Sequence, residues 1–153
     1  MNESVEHPLL YYRNNLVSLL NLLEAAEKHH VRNFLFSSSC SVYGQTKTLP
    51  ISEEAPLARA ESPYANTKKI GEDILTDFTA VSNLQVISLR YFNPVGAHES
   101  ALIGEQPTGK PNNLVPVITR TAIGKQEQVQ VFGNDYDTGD GSCIRDFIHV
   151  VDI

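Results

Sequence analysis

The sequence predicts an α/β fold built on a parallel sheet. Two short apolar runs, Phe34-Leu35-Phe36 and Val86-Ile87-Ser88-Leu89, are continuous rather than alternating, the pattern of parallel strands covered on both faces. Between them Ile70, Ile74, Leu75, Phe78 and Val81 recur at helical spacing. A strand, helix, strand succession closes by a right-handed crossover and pairs its strands in parallel. In open parallel sheets ligands bind beyond the carboxyl ends of the strands. Ser37 to Ser39 follow the first run and Asn93 the second, so both are expected at one sheet edge.

The elements follow in order. From Pro8 to about His30, Leu9, Tyr12, Leu16, Leu19, Leu20 and Leu23 give a helical stripe. By pattern alone Asn14 reads as a solvated position of that helix. Asn33 to Ser38 is the first strand, ending in a serine-rich turn. Gln45 to Ala60, with Pro50 and Pro56, is a loop. Ser62 can cap the next helix and Pro63 suits its first turn. Glu72, Asp73 and Asp77 read as its solvated face, and Asn83 stops it. Gln85 to Phe92 is the second strand. Pro94 to Pro111 is a long loop of the kind that carries function. Asn112-Asn113-Leu114 opens a helix to about Ile123, and helix N termini attract anions. Gln128 to Phe132 alternates as a third strand. Gly133 to Ser142 is a polar loop. Phe147 to Val151 leads toward a further helix.

The chain has 153 residues, about one domain's worth. Its composition, 41% apolar and 20% charged, is that of an ordinary globular protein. A net charge of -6 without a basic stripe argues against nucleic-acid binding. No apolar run approaches the ~18 residues that span a bilayer, and the acidic, polar start Met1 to Ser4 is not expected to be a signal peptide. A reducing, cytoplasmic setting is expected, with no disulfide between Cys40 and Cys143. The five histidines show no metal-ligand spacing with the cysteines, so no metal is expected.

The chemistry centres on Ser62-Pro63-Tyr64-Ala65-Asn66-Thr67-Lys68. Residues four apart share a helix face, one turn from each other. An ammonium beside a phenol favours the phenolate, which makes Tyr64 and Lys68 a candidate base for taking a proton from an alcohol. The same spacing also arises by chance in many helices. Arg145, after a flexible loop, can clamp a phosphate bidentately or pair on the surface with Asp146 or Asp140.

Five motifs occur together: Phe36-Ser37-Ser38-Ser39-x-x-Val42-Tyr43-Gly44, Pro63-Tyr64-x3-Lys68, Leu89 to His98 (Leu-Arg-Tyr-Phe-Asn-Pro-Val-Gly-Ala-His), Pro111-Asn112-Asn113-Leu114-x-Pro116 and Phe132-Gly133-Asn134-Asp135-Tyr136. In this order the chain resembles the extended short-chain dehydrogenase/reductase family, and within it the UDP-galactose/UDP-glucose 4-epimerase family. The resemblance implies a Rossmann-like, doubly wound parallel sheet, incomplete here. Residues 1–93 would be the C-terminal half of an NAD-binding domain, and 94–153 the start of a smaller nucleotide-sugar-binding region. It implies NAD as cofactor, UDP-galactose and UDP-glucose as substrates, and a homodimer for the full-length protein. By match, Tyr64 would be the base, Ser39 would hydrogen-bond the sugar 4-hydroxyl and relay its proton, and Lys68 would lower the phenol's pKa and hold the nicotinamide ribose. Asn14 and Phe92 would touch NAD. Asn93, Asn113, Leu114, Phe132 and Arg145 would hold the uridine diphosphate.

One feature of such enzymes is missing. No G-x-x-G-x-x-G or G-x-G-x-x-G turn occurs. The expectation is therefore an internal piece of an epimerase, with catalytic incompetence of the isolated chain as one alternative. A nucleotide-sugar 4,6-dehydratase is another. Dehydratases of this family resemble the chain but carry Asp-Glu just before Val-Tyr-Gly as the acid and base of water loss, where this chain has Cys40-Ser41.

Overall fold

The computed structural model describes residues 2–46, 48–105, 109, 111 and 113–153. The chain divides into two compact units, residues 1–91 and 92–153.

The first unit opens with α1 (Asn2–Glu6), α2 (Pro8–Tyr12) and α3 (Ser18–Lys28). Between α2 and α3 the backbone stays helical but widens to a π turn over Arg13–Val17. The expected helix is therefore continuous, with Asn14 and Asn15 in its widened turn; such turns cluster at functional sites. The strand β1 (Asn33–Ser37) and a 3-10 turn (Cys40–Tyr43) follow, then α4 (Pro63–Thr79) and β2 (Gln85–Leu89). β1 and β2 pair in parallel, with Asn33 opposite Gln85 and Ser37 opposite Leu89.

Leu19, Leu23 and Ala26 of α3 meet Leu75 and Leu84, with Phe34, Phe36, Ile74, Phe78 and Val86 packed against them. Val81, expected in this stripe, is 85% exposed because the helix has already ended at Thr79. Leu35 and Ile87 on the opposite sheet face are 67% and 60% exposed. Among the described residues the strands are thus covered on one face, not on both as their apolar runs suggest. The charged Glu72, expected to be solvated, is buried, because Arg90 at the end of β2 neutralises it.

Gly71 allows the close approach of α4 to β1. A Cβ there would lie 2.7 Å from Phe36 Cζ and 3.4 Å from Leu19 Cδ2. Gly71→Ala gains helix propensity but overpacks the core, for an expected net loss of about 1 kcal/mol. Thermal melting followed by circular dichroism checks this; an unchanged or higher Tm would show that the Phe36 ring yields freely.

The second unit contains β3 (Asn93–Val95), α5 (Leu114–Ala122) and β4 (Phe147–His149). β3 and β4 are parallel, with Asn93 opposite Phe147 and Val95 opposite His149. Gly96, at φ 91°, turns the chain where the His149 ring leaves no room for a side chain. The strand expected over 128–132 does not form: among the described residues no backbone pairs with it, and Val131 and Phe132 are 80% and 90% exposed. After β4 the chain turns at 150–151. Asn112, expected at the start of α5, lies outside the described residues, and Asn113 takes the N-cap position. No helix among the described residues is long and apolar enough to cross a membrane.

Candidate active site

The first turn of α4 carries the candidate base. Ser62 Oγ accepts from the Ala65 amide at 3.1 Å, and Pro63 starts the helix. This sets Tyr64 and Lys68 one turn apart on one face, both half-buried. Lys68 Nζ lies 5.6 Å from the Tyr64 ring centre and 5.3 Å from that of Phe36. It donates to the Ser37 carbonyl at 2.7 Å, tying the helix to the carboxyl end of β1. Burial pushes the Lys68 ammonium below the ordinary lysine range. An ammonium has three donors, so two remain for a ligand. The Tyr11 ring stands edge-on to Tyr64, with centres 6.3 Å apart. Tyr11 donates to Glu3 at 2.5 Å, and that bond, with burial and the carboxylate charge, raises the Tyr11 phenol above its ordinary value.

Ser39 caps the 3-10 turn. Its Oγ accepts from the Ser41 amide at 3.2 Å and from Ser41 Oγ at 2.9 Å. Both bonds use oxygen lone pairs, so the Ser39 O–H remains a donor. The Cys40 amide donates to the Tyr91 carbonyl at 2.9 Å, continuing the β1–β2 pairing past the strand ends.

Beneath this turn lies a charged network that the sequence pattern did not suggest. Glu72 accepts from Ser38 Oγ, from Arg90 Nε at 3.0 Å and from Arg90 Nη2 at 2.7 Å. Arg90 Nη1 also donates to Tyr43 OH at 2.9 Å and to the Glu53 carbonyl at 3.2 Å. Burial opposes ionisation of Glu72, but the bonds from Arg90 and Ser38 and the guanidinium charge prevail and hold its carboxyl below the usual range. A signal was available: Tyr64, Lys68 and Glu72 fall at successive fours on one helix face.

Asn14 is exposed on the π turn. Its neighbour Asn15 donates to Thr67 Oγ1 at 2.8 Å, and Thr67 donates to the Tyr64 carbonyl at 2.7 Å. Asn66 donates to Tyr12 OH at 2.7 Å. The π turn is thereby fixed to the helix of the candidate base.

The other expected residues lie in the second unit. Phe92 is 37% and Leu114 51% exposed. Asn93 donates to the Asp146 carbonyl at 2.6 Å, and Asn113 to Glu105 at 2.9 Å. Arg145 donates to the Ile144 carbonyl at 3.1 Å and makes no ion pair with Asp140 or Asp146. A cleft bordered by Val95, His98, Glu105 and Asn113 opens in this unit, and Phe132 stands free of the surface. Among the described residues no cluster could hold a metal.

Residues 1–153 match the NAD dependent epimerase/dehydratase family. The chain belongs to this family. It is 51% identical over its full length to the UDP-glucose 4-epimerase of Yersinia enterocolitica, covering 46% of that protein. It is 53% identical to that of Bacillus subtilis (strain 168), again over its full length and 45% of the relative. Among solved structures, the UDP-glucose 4-epimerase from Bifidobacterium longum in complex with NAD+ and UDP superposes with a TM-score of 0.91 at 52% identity, over 98% of this chain and 45% of that one. The enzyme from Stenotrophomonas maltophila with bound NAD and formylated UDP-arabinopyranose gives 0.93 at 47% identity, over 99% and 45%. The chain spans somewhat less than half the length of these epimerase relatives and has their Rossmann-like fold over that span.

Asn14, Tyr64 and Lys68 supply an amide, a phenol and an ammonium with two unused donors, a set suited to ribose hydroxyls. For the pyrophosphate the sequence contains no glycine-rich turn.

Proposed function

We propose that the chain is the base-bearing part of a UDP-glucose 4-epimerase, interconverting UDP-galactose and UDP-glucose. The observation that carries this is the Lys68 bond to Ser37 at 2.7 Å, which draws together the amine, the Tyr64 ring and the turn of Ser39. Residues 1–93 serve NAD binding, and 94–153 begin the nucleotide-sugar region. Asn14, Ser39, Tyr64, Lys68 and Phe92 hold the nicotinamide end of NAD. Asn93, Asn113, Leu114, Phe132 and Arg145 hold the uridine diphosphate, Arg145 through a paired charge-assisted contact. Bound NAD supplies a reversible hydride acceptor for C4 of the sugar. Tyr64 takes the 4-hydroxyl proton, with Ser39 passing it along, and returns it after the 4-keto sugar has turned over. The full-length protein works as a cytoplasmic homodimer.

A second reading keeps the fold without independent turnover, and the missing glycine-rich turn favours it for the chain alone. Two assays separate them. The purified chain with NAD is tested for UDP-galactose conversion, as is a hybrid in which residues 1–153 replace the matching segment of the Bacillus subtilis relative. Conversion by the hybrid alone supports the epimerase assignment with a dependent chain; no conversion by a folded hybrid overturns it. Cys40 and Ser41 at the start of the 3-10 turn provide no acid and base for dehydration.

Lys68→Met in the hybrid is expected to weaken NAD retention and lower kcat, each about tenfold or more, since one charged hydrogen-bonding group is lost. NAD content after gel filtration and initial rates check this; full NAD retention would remove the ribose role.

A further inference from the structure

We propose that Glu72 and Arg90 are positioning residues for Ser39, an inference that deepens the epimerase reading and rests on the role it gives Ser39. The turn containing Ser39 is held at its neighbours. Lys68 holds the Ser37 carbonyl, Glu72 holds the Ser38 hydroxyl, the Tyr91 carbonyl holds the Cys40 amide, and Arg90 holds Tyr43 OH. Two of these four ties come from the Glu72–Arg90 pair. Arg90 also lies over the Tyr43 ring, its guanidinium carbon 5.0 Å from the centre. Ser38 and Glu72 are 3% and 8% exposed, and Tyr43 is 4% exposed, so water competes poorly for these bonds.

The geometry separates the fixing of Ser39 from its chemistry. Its O–H stays available, while its backbone is set by groups that make no bond to its side chain. Glu72 stands one turn beyond Lys68 and two beyond Tyr64 on α4. One helix face therefore presents the base at its start and grips the serine turn along the next two turns. Displacement of a relay hydroxyl by about 1 Å costs catalysis on the order of a hundredfold, and the Glu72–Arg90 pair opposes that displacement.

The test uses Glu72→Gln and, because loss of the charge could unfold the chain, Ser38→Ala, which leaves the ion pair in place. In the chain itself, amide hydrogen exchange is compared at Cys40, Ser41, Val42 and Gly44 and at Leu23 and Ala26 of the core. Both variants are expected to speed exchange in the turn by about tenfold or more while leaving the core amides unchanged. Unchanged turn amides, or equal acceleration of turn and core, would overturn the proposal. In the hybrid enzyme, Ser38→Ala is expected to lower kcat about tenfold with KM for UDP-galactose and NAD content unaltered; a change in KM alone would also overturn it. An inactive wild-type hybrid would count against the epimerase reading, whereas exchange in the chain would still decide whether the pair fixes the turn.

Discussion

Tyr64→Phe lowers kcat for UDP-galactose conversion in the hybrid enzyme by about a thousandfold, within the 10²–10⁴ that a positioned acid/base group contributes. The substitution removes one oxygen and leaves the ring that Lys68 and Tyr11 adjoin. The N-cap bond of Ser62 and the Thr67 bond to the Tyr64 carbonyl involve no phenol, so α4 keeps its start. The far-UV spectrum and Tm are therefore expected to match wild type, and NAD retention to fall little while Lys68 persists. Steady-state rates with circular dichroism on the same preparations check this. A phenylalanine variant with undiminished kcat would remove Tyr64 as the base and leave Ser39 as the next hydroxyl to test.

This experiment addresses the part of the site most legible in the sequence. Ser62-Pro63 gives the helix start, and the four-residue step from Tyr64 to Lys68 gives a shared face; both hold in the structure. The strand, helix, strand order gives the parallel β1–β2 pair and puts Ser37 at a strand end. These features are local or follow from one crossover rule. The features that escaped are long-range. Glu72 reads as solvated because it is charged, yet its partner stands 18 positions away at the end of another element. Alternation over 128–132 suggested a strand, but a strand also needs a neighbour, which alternation does not supply. The π turn has no pattern of its own, because Asn14-Asn15 fits an ordinary helix equally well. Continuous apolar runs in β1 and β2 report that both faces are suited to burial, not which face α3 and α4 cover.

Arg90→Met is expected to lower the stability of the chain by about 3 kcal/mol at neutral pH, toward the lower end of what breaking a buried ion pair costs. The lower end applies because the Arg90 and Glu72 side chains are 22% and 10% exposed. Most of the loss comes from the carboxylate left behind. In the wild type Glu72 is held below the ordinary carboxyl value of 4.5, so its stabilisation is complete above that value and disappears as pH falls through the lower folded one. Without Arg90 the burial that already opposes ionisation dominates and raises the Glu72 pKa. Protonation then relieves the variant while it weakens the wild type, so the difference in Tm narrows as pH falls from about 7 to about 4. Arg90→Met with Glu72→Leu, which removes both charges, is expected to recover much of the loss, since an apolar replacement of a buried pair is often neutral. Thermal melts of the wild type and the two variants across that range check the account. A Tm difference independent of pH, or a double variant no more stable than Arg90→Met, would locate the loss in the Tyr43 and Glu53 contacts of the guanidinium instead of in its charge.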